Sequence, residues 1–294
     1  HLAEHRWSVV SWPRAYHGRE ASLLQWVIFE EEYYRSGAPG RVSQNGIFLL
    51  APILFEHGTQ EQQDRFLPSM ATGEQVWAQA WSEPEAGSDL AAIRSTATRD
   101  DARGGWVLNG QKTWSSRAAF ADWGFGLFRS DPAAERHRGL TYFLFPPDAP
   151  GVTVRPIAQL DGEAGFAELF LDDVFVPDAD VLGAPGDGWR VAMSTAGNER
   201  GLSLRSPGRF CAAAERLVRL YGDHPDPALA DRVVDAWLGA EAYRLYTWGT
   251  VTRLASGGDI GAAGSVNKVF WSELDIALHE TALDLLGPEA ETAG

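Results

Sequence analysis

The 294-residue chain is 45% hydrophobic and 22% charged, which is ordinary for a globular protein and enough for about two or three packed modules. Its formal net charge of -15 argues against nucleic acid or an anionic membrane surface as the main partner, although a few arginines or helix N-termini would suffice to bind an anionic small molecule. The single cysteine, Cys211, excludes an internal disulfide, and no apolar run is long enough to cross a bilayer.

The N-terminal part of the chain has helical periodicity. The sequence starts at His1 without a methionine or a signal peptide, so we expect part of a longer protein. A first helix is predicted from residue 20 to the Gly- and Pro-rich turn after residue 35, and further helices follow over residues 47–57 and 59–72. Thr59 is the predicted N-cap of the last of these.

Between about residues 76 and 182 the pattern changes to short β-strands bounded by Gly, Pro or Asp. Asn109-Gly110 is the strongest short hairpin signal in the chain and predicts a turn there. The predicted strands that follow it are Trp123–Phe128, Leu140–Phe145, Val152–Pro156 and Glu168–Val176. Short strands at this spacing predict an antiparallel β-barrel or sandwich.

From Gly188 onward the helical period returns. Three apolar stripes with helical spacing predict a helical bundle: Phe210, Ala214, Leu217, Leu220; then Val234, Leu238, Ala242, Leu245, Trp248; then Phe270, Leu274, Ala277, Thr281, Leu285. The predicted fold class is therefore α+β and multidomain. It comprises an N-terminal α-helical domain (1–75), a central antiparallel β-barrel or sandwich module (76–184) and a C-terminal domain resembling a four-helix bundle (185–294).

The common catalytic signatures are absent from the sequence. There is no Gly-x-Ser-x-Gly nucleophile elbow and no P-loop, and the glycines at 183–188 lack the dinucleotide fingerprint. Of the seven histidines, only His1 and His5 have ligand spacing, so we predict no metal site.

The segment WSEPEAGSDLAA, residues 81–92, places three carboxylates and a glycine turn directly after an apolar strand. Pro84 stops the strand because it donates no hydrogen bond. The sequence Gly87-Ser88-Asp89 then offers free backbone N–H groups and a hydroxyl. From these residues alone two interpretations stay open: a cradle for the polar rim of a ligand, or a solvated surface turn.

Four segments in register resemble the acyl-CoA dehydrogenase family: EPEAGSD (83–89), LNGQKTWSS (108–116), GDGWRVAM (186–193) and NERG (198–201). The segment GTQEQQDRFLPSMATGE (58–74) is also similar to the one that precedes the first β-strand in that family. The resemblance covers essentially the whole chain and implies the helix–β–helix acyl-CoA dehydrogenase fold.

The resemblance implies FAD as the cofactor, held without a Rossmann fold. By motif position Ser82 would hydrogen-bond to the pyrimidine edge of the flavin, and Ser116 would donate a hydrogen bond near N5. Trp114 would pack against the flavin ring. Ser88 falls where the family contacts the pyrophosphate or the pantetheine arm of the substrate. Trp81, Gly87 and Ser115 complete the set of predicted cofactor contacts. The alternative for Trp114 is a purely structural role as a core tryptophan of the β-module.

The implied reaction is α,β-dehydrogenation of an acyl-CoA thioester, in which a carboxylate removes the α-proton and the β-hydrogen leaves as hydride to flavin N5. Family members carry the base either on a late loop or just before an arginine on the first long C-terminal helix. Glu199-Arg200 matches the second pattern, so Glu199 is the predicted base and Arg200 the predicted contact for the substrate. The alternative is that Glu199 pairs with a neighbouring arginine on a solvated face.

Two segments depart from the family pattern, residues 218–232 and 286–290, and both would weaken the half-site that a subunit lends to its neighbour. Two alternatives therefore stay open: a non-catalytic or half-site subunit of a heteromeric acyl-CoA dehydrogenase, or a flavin oxidase or monooxygenase of the same fold. The expected partners are an acyl-CoA, an electron-transfer flavoprotein as acceptor, and further subunits in a homo- or hetero-oligomer built on the helical domain. The expected location is the cytoplasm, or the mitochondrial matrix in a eukaryote.

Overall fold

The computed structural model describes residues 1–201, 206–259, 261 and 263–292, with the side chains at 198–201, 206 and 263 outside that description. The chain folds as two compact units, one of residues 1–19 and 41–198 and one of residues 20–40 and 199–294. The helices are α1 (Leu23–Arg35), α2 (Ala51–His57), α3 (Gln60–Thr72), α4 (Gly188–Gly201), α5 (Ser206–Asp223), α6 (Ala230–Ala255) and α7 (Ala263–Leu286). The strands are β1 (Trp77–Ala80), β2 (Thr96–Asp100), β3 (Gly105–Ser116), β4 (Trp123–Arg129), β5 (Leu140–Phe145), β6 (Val152–Ile157), β7 (Phe166–Pro177) and β8 (Val181–Leu182).

The predicted order of helices, β-module and helices is confirmed. Thr59 caps α3 as predicted, in a capping box with Gln62, and Ser22 forms the same motif with Gln25 at the start of α1. In both cases the side-chain oxygen accepts a backbone N–H that the helix itself leaves without a partner. The domain boundaries 1–75, 76–184 and 185–294 stay a prediction.

The β-module is one sheet with the strand order β6-β7-β3-β2-β4-β5-β8, and β1 pairs with β4. Most pairs are antiparallel, but β1 and β2 each run parallel to β4. The large aromatic residues of its interior include Trp77, which stacks on Trp123 with ring centroids 5.5 Å apart. Phe66 of α3 meets the edge of Trp77, at 5.2 Å, so this helix packs on the sheet.

The predicted hairpin turn at Asn109-Gly110 is wrong. Both residues lie inside β3, and the chain reverses earlier, at residues 101–104, where Gly104 has a φ of 66°. Gly110 is needed for close approach instead: its φ is 143°, and a Cβ there would lie 2.2 Å from the Ser95 hydroxyl. The side chain of Asn109 accepts from the backbone N–H of Asp173 on β7, so it also serves the sheet.

The β3–β7 ladder contains two register shifts, one between Leu108 and Gly110 and one between Lys112 and Ser115. At the first shift two residues of β7, 172 and 173, stand against residue 109, and at the second two residues of β3, 113 and 114, stand against residue 168. The shifts are opposite in sense, so the strands end in the register in which they started. Each strand changes the parity of its buried residues once, at its own bulge.

The second unit is built from α1, α5, α6 and α7, so residues 23–35 supply one of the four helices of this bundle. The predicted α5 stripe is confirmed: Phe210, Ala214 and Leu217 are buried, and Leu220 is half-buried against the same cluster. The α7 stripe is confirmed at Leu274, Thr281 and Leu285, whereas the other two positions are exposed and Leu278 is buried in their stead.

The predicted buried stripe of α6 is wrong. Val234, Leu238, Ala242 and Leu245 are exposed, Leu245 to 64%, whereas Trp248 is half-buried. The helix instead buries the opposite face, which includes Val233, Ala236, Ala240, Tyr243 and Thr247. The small side chains on this face allow close approach of α5 and α7, whereas the sequence offers apolar residues on both faces. None of the described helices combines the length and apolar character that crossing a membrane requires.

Candidate functional site

Residues 83–95, called the 83–95 loop below, follow β1 and begin with a tight turn. Glu83 and Ala86 exchange two backbone hydrogen bonds, of 3.0 and 3.1 Å, and leave Pro84 and Glu85 exposed at the tip. Glu85 pairs with Arg94, and Asp89 pairs with Arg136, through exposed ion pairs of 3.0 and 2.8 Å. Two of the three acids are therefore solvated, as the surface-turn interpretation requires, and such pairs contribute little to stability.

Gly87 and Ser88 are exposed at the outer side of this loop. Gly87 does not have the left-handed backbone that would require glycine, and a Cβ built there meets nothing within 4 Å. The fold alone therefore gives no reason for a glycine at this position. Open space in front of a bare backbone is what a closely approaching ligand needs.

The loop lies directly against β3. The N–H of Thr113 donates to the carbonyl of Ser82, at 2.9 Å, which places the half-buried Ser82 next to the bulge of β3. Trp81 is half-buried as well and meets the edge of the Tyr142 ring, with centroids 6.3 Å apart.

Trp114 stands out of the sheet at the bulge. Its φ is 57° and its side chain is 60% exposed, with the ring meeting the edge of Phe166 at a centroid distance of 5.9 Å. A positive φ is unfavourable for a bulky residue, and such strain is concentrated at functional sites. The core interpretation of Trp114 is therefore wrong, because this indole displays a free face.

The two serines after Trp114 differ. Ser116 is half-buried and reaches the surface, whereas Ser115 is completely buried and its hydroxyl has no hydrogen-bond partner in the part of the chain that the structure describes. The structure thus brings Ser82, Trp114 and Ser116 to one region of the sheet, and it turns the Ser115 side chain into the interior.

The third acid of the loop, Glu83, is buried and pairs with Lys112 of β3, an interaction that the sequence did not suggest. Its carboxylate lies 2.8 Å from the Lys112 ammonium and also accepts from the backbone N–H groups of Arg94 and Ser95. Burial by itself would raise the pKa of Glu83, but Lys112 and the hydrogen bonds lower it below its ordinary value. Burial lowers the pKa of Lys112 to about 8, although Glu83 opposes that shift.

Arg129, at the end of β4, fastens a second loop to the first. Its guanidinium donates to the backbone carbonyls of Ala91 and Ile93 in the 83–95 loop, at 3.2 and 3.4 Å. It also donates to carbonyls of the 130–139 segment, of which that of Arg136 is closest, at 2.9 Å. One half-buried side chain therefore holds the two loops as a single rim.

Helix α4, which carries the predicted base near its end, is attached to α2 at its beginning. Nε2 of His57 lies 3.1 Å from the Ser194 hydroxyl, and Arg190 donates to Nδ1 of the same ring at 3.1 Å. Because Nδ1 accepts, the proton of the neutral ring is on Nε2. The side chains of Glu199 and Arg200 lie outside the described residues, so their predicted roles stay predictions.

Two other features of the described residues have the form of a site. A cavity of about 570 Å³ lies between α3 and β8, and two of its charged lining residues are paired, Arg65 with Asp180 at 2.6 Å and Asp178 with Arg99. His1, Glu4 and His5 place their ligand atoms within 4.8 Å of one another, and all three are exposed. Neither feature combines a strained, exposed aromatic residue with half-buried hydroxyls, as Trp114, Ser82 and Ser116 do.

Comparison with known proteins gives one consistent result. The family models of the acyl-CoA dehydrogenase N-terminal, middle and C-terminal domains match residues 1–74, 78–174 and 186–294. The acyl-CoA dehydrogenase IpdE1 of Mycolicibacterium smegmatis is 42% identical over 299 residues, an alignment that covers 98% of this chain and 75% of that protein.

The solved structures agree with this result. The protein described as Tcur3481-Tcur3483 steroid ACAD has a TM-score of 0.88 at 27% identity, over 98% of this chain and 75% of that one. The ChsE4-ChsE5 complex from Mycobacterium tuberculosis has a TM-score of 0.83 at 29% identity, over 98% of this chain and 76% of that one. The resemblance seen in the sequence motifs is therefore confirmed along the chain, which belongs to the acyl-CoA dehydrogenase family.

Proposed function

We propose that this chain catalyses the FAD-dependent α,β-dehydrogenation of an acyl-CoA thioester. The observation that carries the proposal is the display of Trp114: a strained, exposed indole at a strand bulge, in a chain of this family. A tryptophan with an exposed face offers an isoalloxazine ring a stacking surface, and the half-buried hydroxyls beside it offer hydrogen-bond donors.

The residues present fit a flavin. Ser82 and Ser116 are half-buried near the Trp114 bulge, Ser82 through its contact with Thr113, and the half-buried Trp81 precedes Ser82. Gly87 leaves open space in front of its backbone, and Ser88 is exposed beside it, so both are available for the pyrophosphate or the pantetheine arm. The completely buried Ser115 would support Trp114 from behind, since neither its hydroxyl nor its backbone reaches the surface.

FAD, when bound, supplies the acceptor for a hydride. The task of the protein is to hold the thioester so that its α-proton and β-hydrogen are presented together. The α-proton passes to a carboxylate oxygen of the protein, the β-hydrogen leaves as hydride, and the electrons of the broken α-C–H bond form the new double bond. Exclusion of water strengthens the donors that polarise the thioester carbonyl.

Glu199 is the proposed base and Arg200 the proposed contact for the substrate. Both lie on α4, one helical turn or more beyond the contact of His57 with Ser194 near the middle of this helix. Changing Glu199 to Gln keeps the shape of the side chain and removes its ability to accept the proton.

The test is anaerobic reduction of the purified protein by acyl-CoAs, followed by visible absorbance. The wild type is expected to bind FAD and to bleach on addition of a substrate. Glu199→Gln is expected to keep its FAD and to be reduced at least about 100-fold more slowly. The exposed Glu280→Gln is the matched control and is expected to behave as wild type. Bleaching of Glu199→Gln at the wild-type rate would place the base elsewhere.

A second experiment tests the ligand side of the 83–95 loop. Gly87→Ala is expected to leave the unfolding free energy within about 0.5 kcal/mol of wild type, because its Cβ meets no protein atom. It is expected to weaken FAD or acyl-CoA binding by about tenfold, since the new methyl group occupies the space in front of the backbone. Gly222→Ala, also with open space around its Cβ, serves as the control. Unchanged affinities for both ligands would remove Gly87 from the site.

A second candidate function is that of a half-site or non-catalytic subunit in a heteromeric enzyme. It is favoured by the similarity to a solved complex of two different proteins, ChsE4 and ChsE5. One FAD per chain in a homo-oligomer purified alone would exclude it. Another similar structure is that of a protein described as a steroid ACAD, which supports a bulky acyl group as substrate. An electron-transfer flavoprotein is the proposed acceptor, and the compartment stays a prediction.

A further inference from the structure

A completely buried lysine lies in the middle of the β-module. Lys112 has no exposed surface, and its ammonium donates to the Glu83 carboxylate at 2.8 Å and to the Leu127 carbonyl at 2.7 Å. The Trp81 carbonyl lies at 3.4 Å, and the ammonium is 4.6 Å from the centre of the Phe128 ring. Every proton of this charge therefore has an acceptor, as a buried ammonium requires.

Its partner Glu83 closes the 83–95 loop. One carboxylate, only 8% exposed as a side chain, accepts from the N–H of Arg94 at 2.6 Å and of Ser95 at 3.0 Å, while the backbone of the same residue forms the tight turn with Ala86. The carboxylate thus holds both ends of the loop together. Through Lys112 it also fastens them to β3 and to the β4 carbonyl of Leu127.

Stability alone does not explain such a pair. Replacing a buried ion pair by apolar residues of similar volume is often neutral or stabilising, whereas removing one partner is costly. The pair instead orders the loop, because the Glu83 carboxylate fixes the amides of Arg94 and Ser95, and Lys112 fastens that carboxylate to the sheet. The next carbonyl before Glu83, that of Ser82, is held by Thr113, which follows Lys112 in β3 and precedes Trp114.

We infer that Glu83 and Lys112 are positioning residues for the ligand site. They contact no ligand themselves; they hold the 83–95 loop on β3 so that Ser82, Gly87 and Ser88 are presented in register with Trp114. This inference rests on the proposed function for the identity of the ligand, but the ordering of the loop stands on the geometry of the described residues.

The test compares Glu83→Gln, Lys112→Met and the double variant with wild type. Three quantities are measured: amide hydrogen exchange at Arg94 and Ser95 in the apoprotein, the thermal midpoint, and the dissociation constant of FAD. In each single variant we expect loss of protection at the two amides and at least about tenfold weaker FAD binding. The expected loss corresponds to one hydrogen bond to a charged group, because binding must then re-order a loop that has lost such a bond.

The double variant separates positioning from stability. It is expected to recover much of the thermal midpoint, because no charge is left buried without a partner, while FAD binding stays at least about tenfold weaker. A double variant that recovers stability and FAD affinity together would overturn the inference. The exposed pair Arg232–Asp284, removed by Arg232→Met with Asp284→Asn, is the control and should leave all three quantities unchanged.

Failure of the proposed function has a different signature. A wild-type protein that binds neither FAD nor acyl-CoA refutes the function, and the exchange of the Arg94 and Ser95 amides then decides the loop-holding role on its own. Unchanged protection of these amides in both single variants would show that the pair does not hold the loop.

Discussion

Gly110 is the position at which the geometry makes the most quantitative prediction. Alanine there would place its Cβ 2.2 Å from the Ser95 hydroxyl oxygen, 2.5 Å from the Ser95 Cβ and 2.8 Å from the Ser95 Cα. Rotation of the hydroxyl relieves only the first of these clashes, so the backbone of β3 or of residue 95 has to move. Crowding of this kind costs about 1–3 kcal/mol, and the φ of 143° adds about 1–3 kcal/mol for a residue with a side chain.

Gly110→Ala is therefore expected to lower the unfolding free energy by about 4 kcal/mol. Gly104→Ala is the matched control: it also has a positive φ, of 66°, but nothing lies within 4 Å of the added Cβ. Only the backbone cost applies there, about 1 kcal/mol. The difference of about 3 kcal/mol corresponds to about 6 °C or more in thermal midpoint.

Urea unfolding followed by tryptophan fluorescence measures both variants. Adding Ser95→Gly to Gly110→Ala removes two of the three clashing atoms and should restore part of the loss, since only the backbone carbon of residue 95, at 2.8 Å, still crowds the new methyl group. If Gly110→Ala costs no more than Gly104→Ala, or if the second substitution restores nothing, the close approach of β3 to residue 95 is not as described.

Three further predictions concern a helix cap, a buried carboxylate and a helix face. Thr59→Ala removes the capping box of α3 and should cost about 1 kcal/mol of unfolding free energy in urea titrations; an unchanged midpoint would contradict the cap. Because the pKa of Glu83 is lowered in the folded state, its contribution to stability is complete above about pH 4.5 and is lost as the pH falls further. In urea unfolding from about pH 6 to about pH 3, the unfolding free energy should therefore fall more steeply in wild type than in Glu83→Gln. Leu238→Gln, on the exposed face of α6, should stay within about 0.5 kcal/mol of wild type, whereas Ala240→Leu on the buried face should cost about 1–3 kcal/mol; equal effects would refute the assignment of the faces.

Local signals in the sequence predicted most of the elements. Thr59 and Gln62 form a capping box from nearby residues, and the strand over residues 140–145 was predicted with its observed bounds because a short apolar run ends at Gly139 on one side and Pro146 on the other. Trp114 and its neighbours were found through motif resemblance, and its free face became visible only in the structure.

The features that were missed depend on interactions between distant residues. Lys112 and Glu83 are 29 residues apart, and nothing in either local pattern distinguishes a buried ion pair from two solvated charges. The turn predicted at Asn109-Gly110 failed because the glycine is required by the close approach of Ser95, which lies on another segment. The buried face of α6 could not be chosen from periodicity, because large apolar residues such as Leu245 lie on the opposite face.

The paired bulges of β3 and β7 explain why Trp114 is displayed at all. A regular ladder continued from the first register would set Lys112 opposite Phe170 and Trp114 opposite Glu168. It would turn Leu169 and Leu171 outward, although both are now buried, and would turn Glu168 and Asp172 inward together with Phe170, whose burial offsets only part of the cost. Exposing two leucines costs about 3–6 kcal/mol, and two buried carboxylates add to that.

The alternation of buried and exposed residues in β7 therefore favours the bulged ladder. The bulge in β3 then restores the register in which the two strands started. The outward position of the Trp114 indole is a consequence of the β3 bulge, and the bulge is required by the pattern of buried residues in β7. An insertion or deletion that rephased β7 would move the tryptophan without altering a single residue around it.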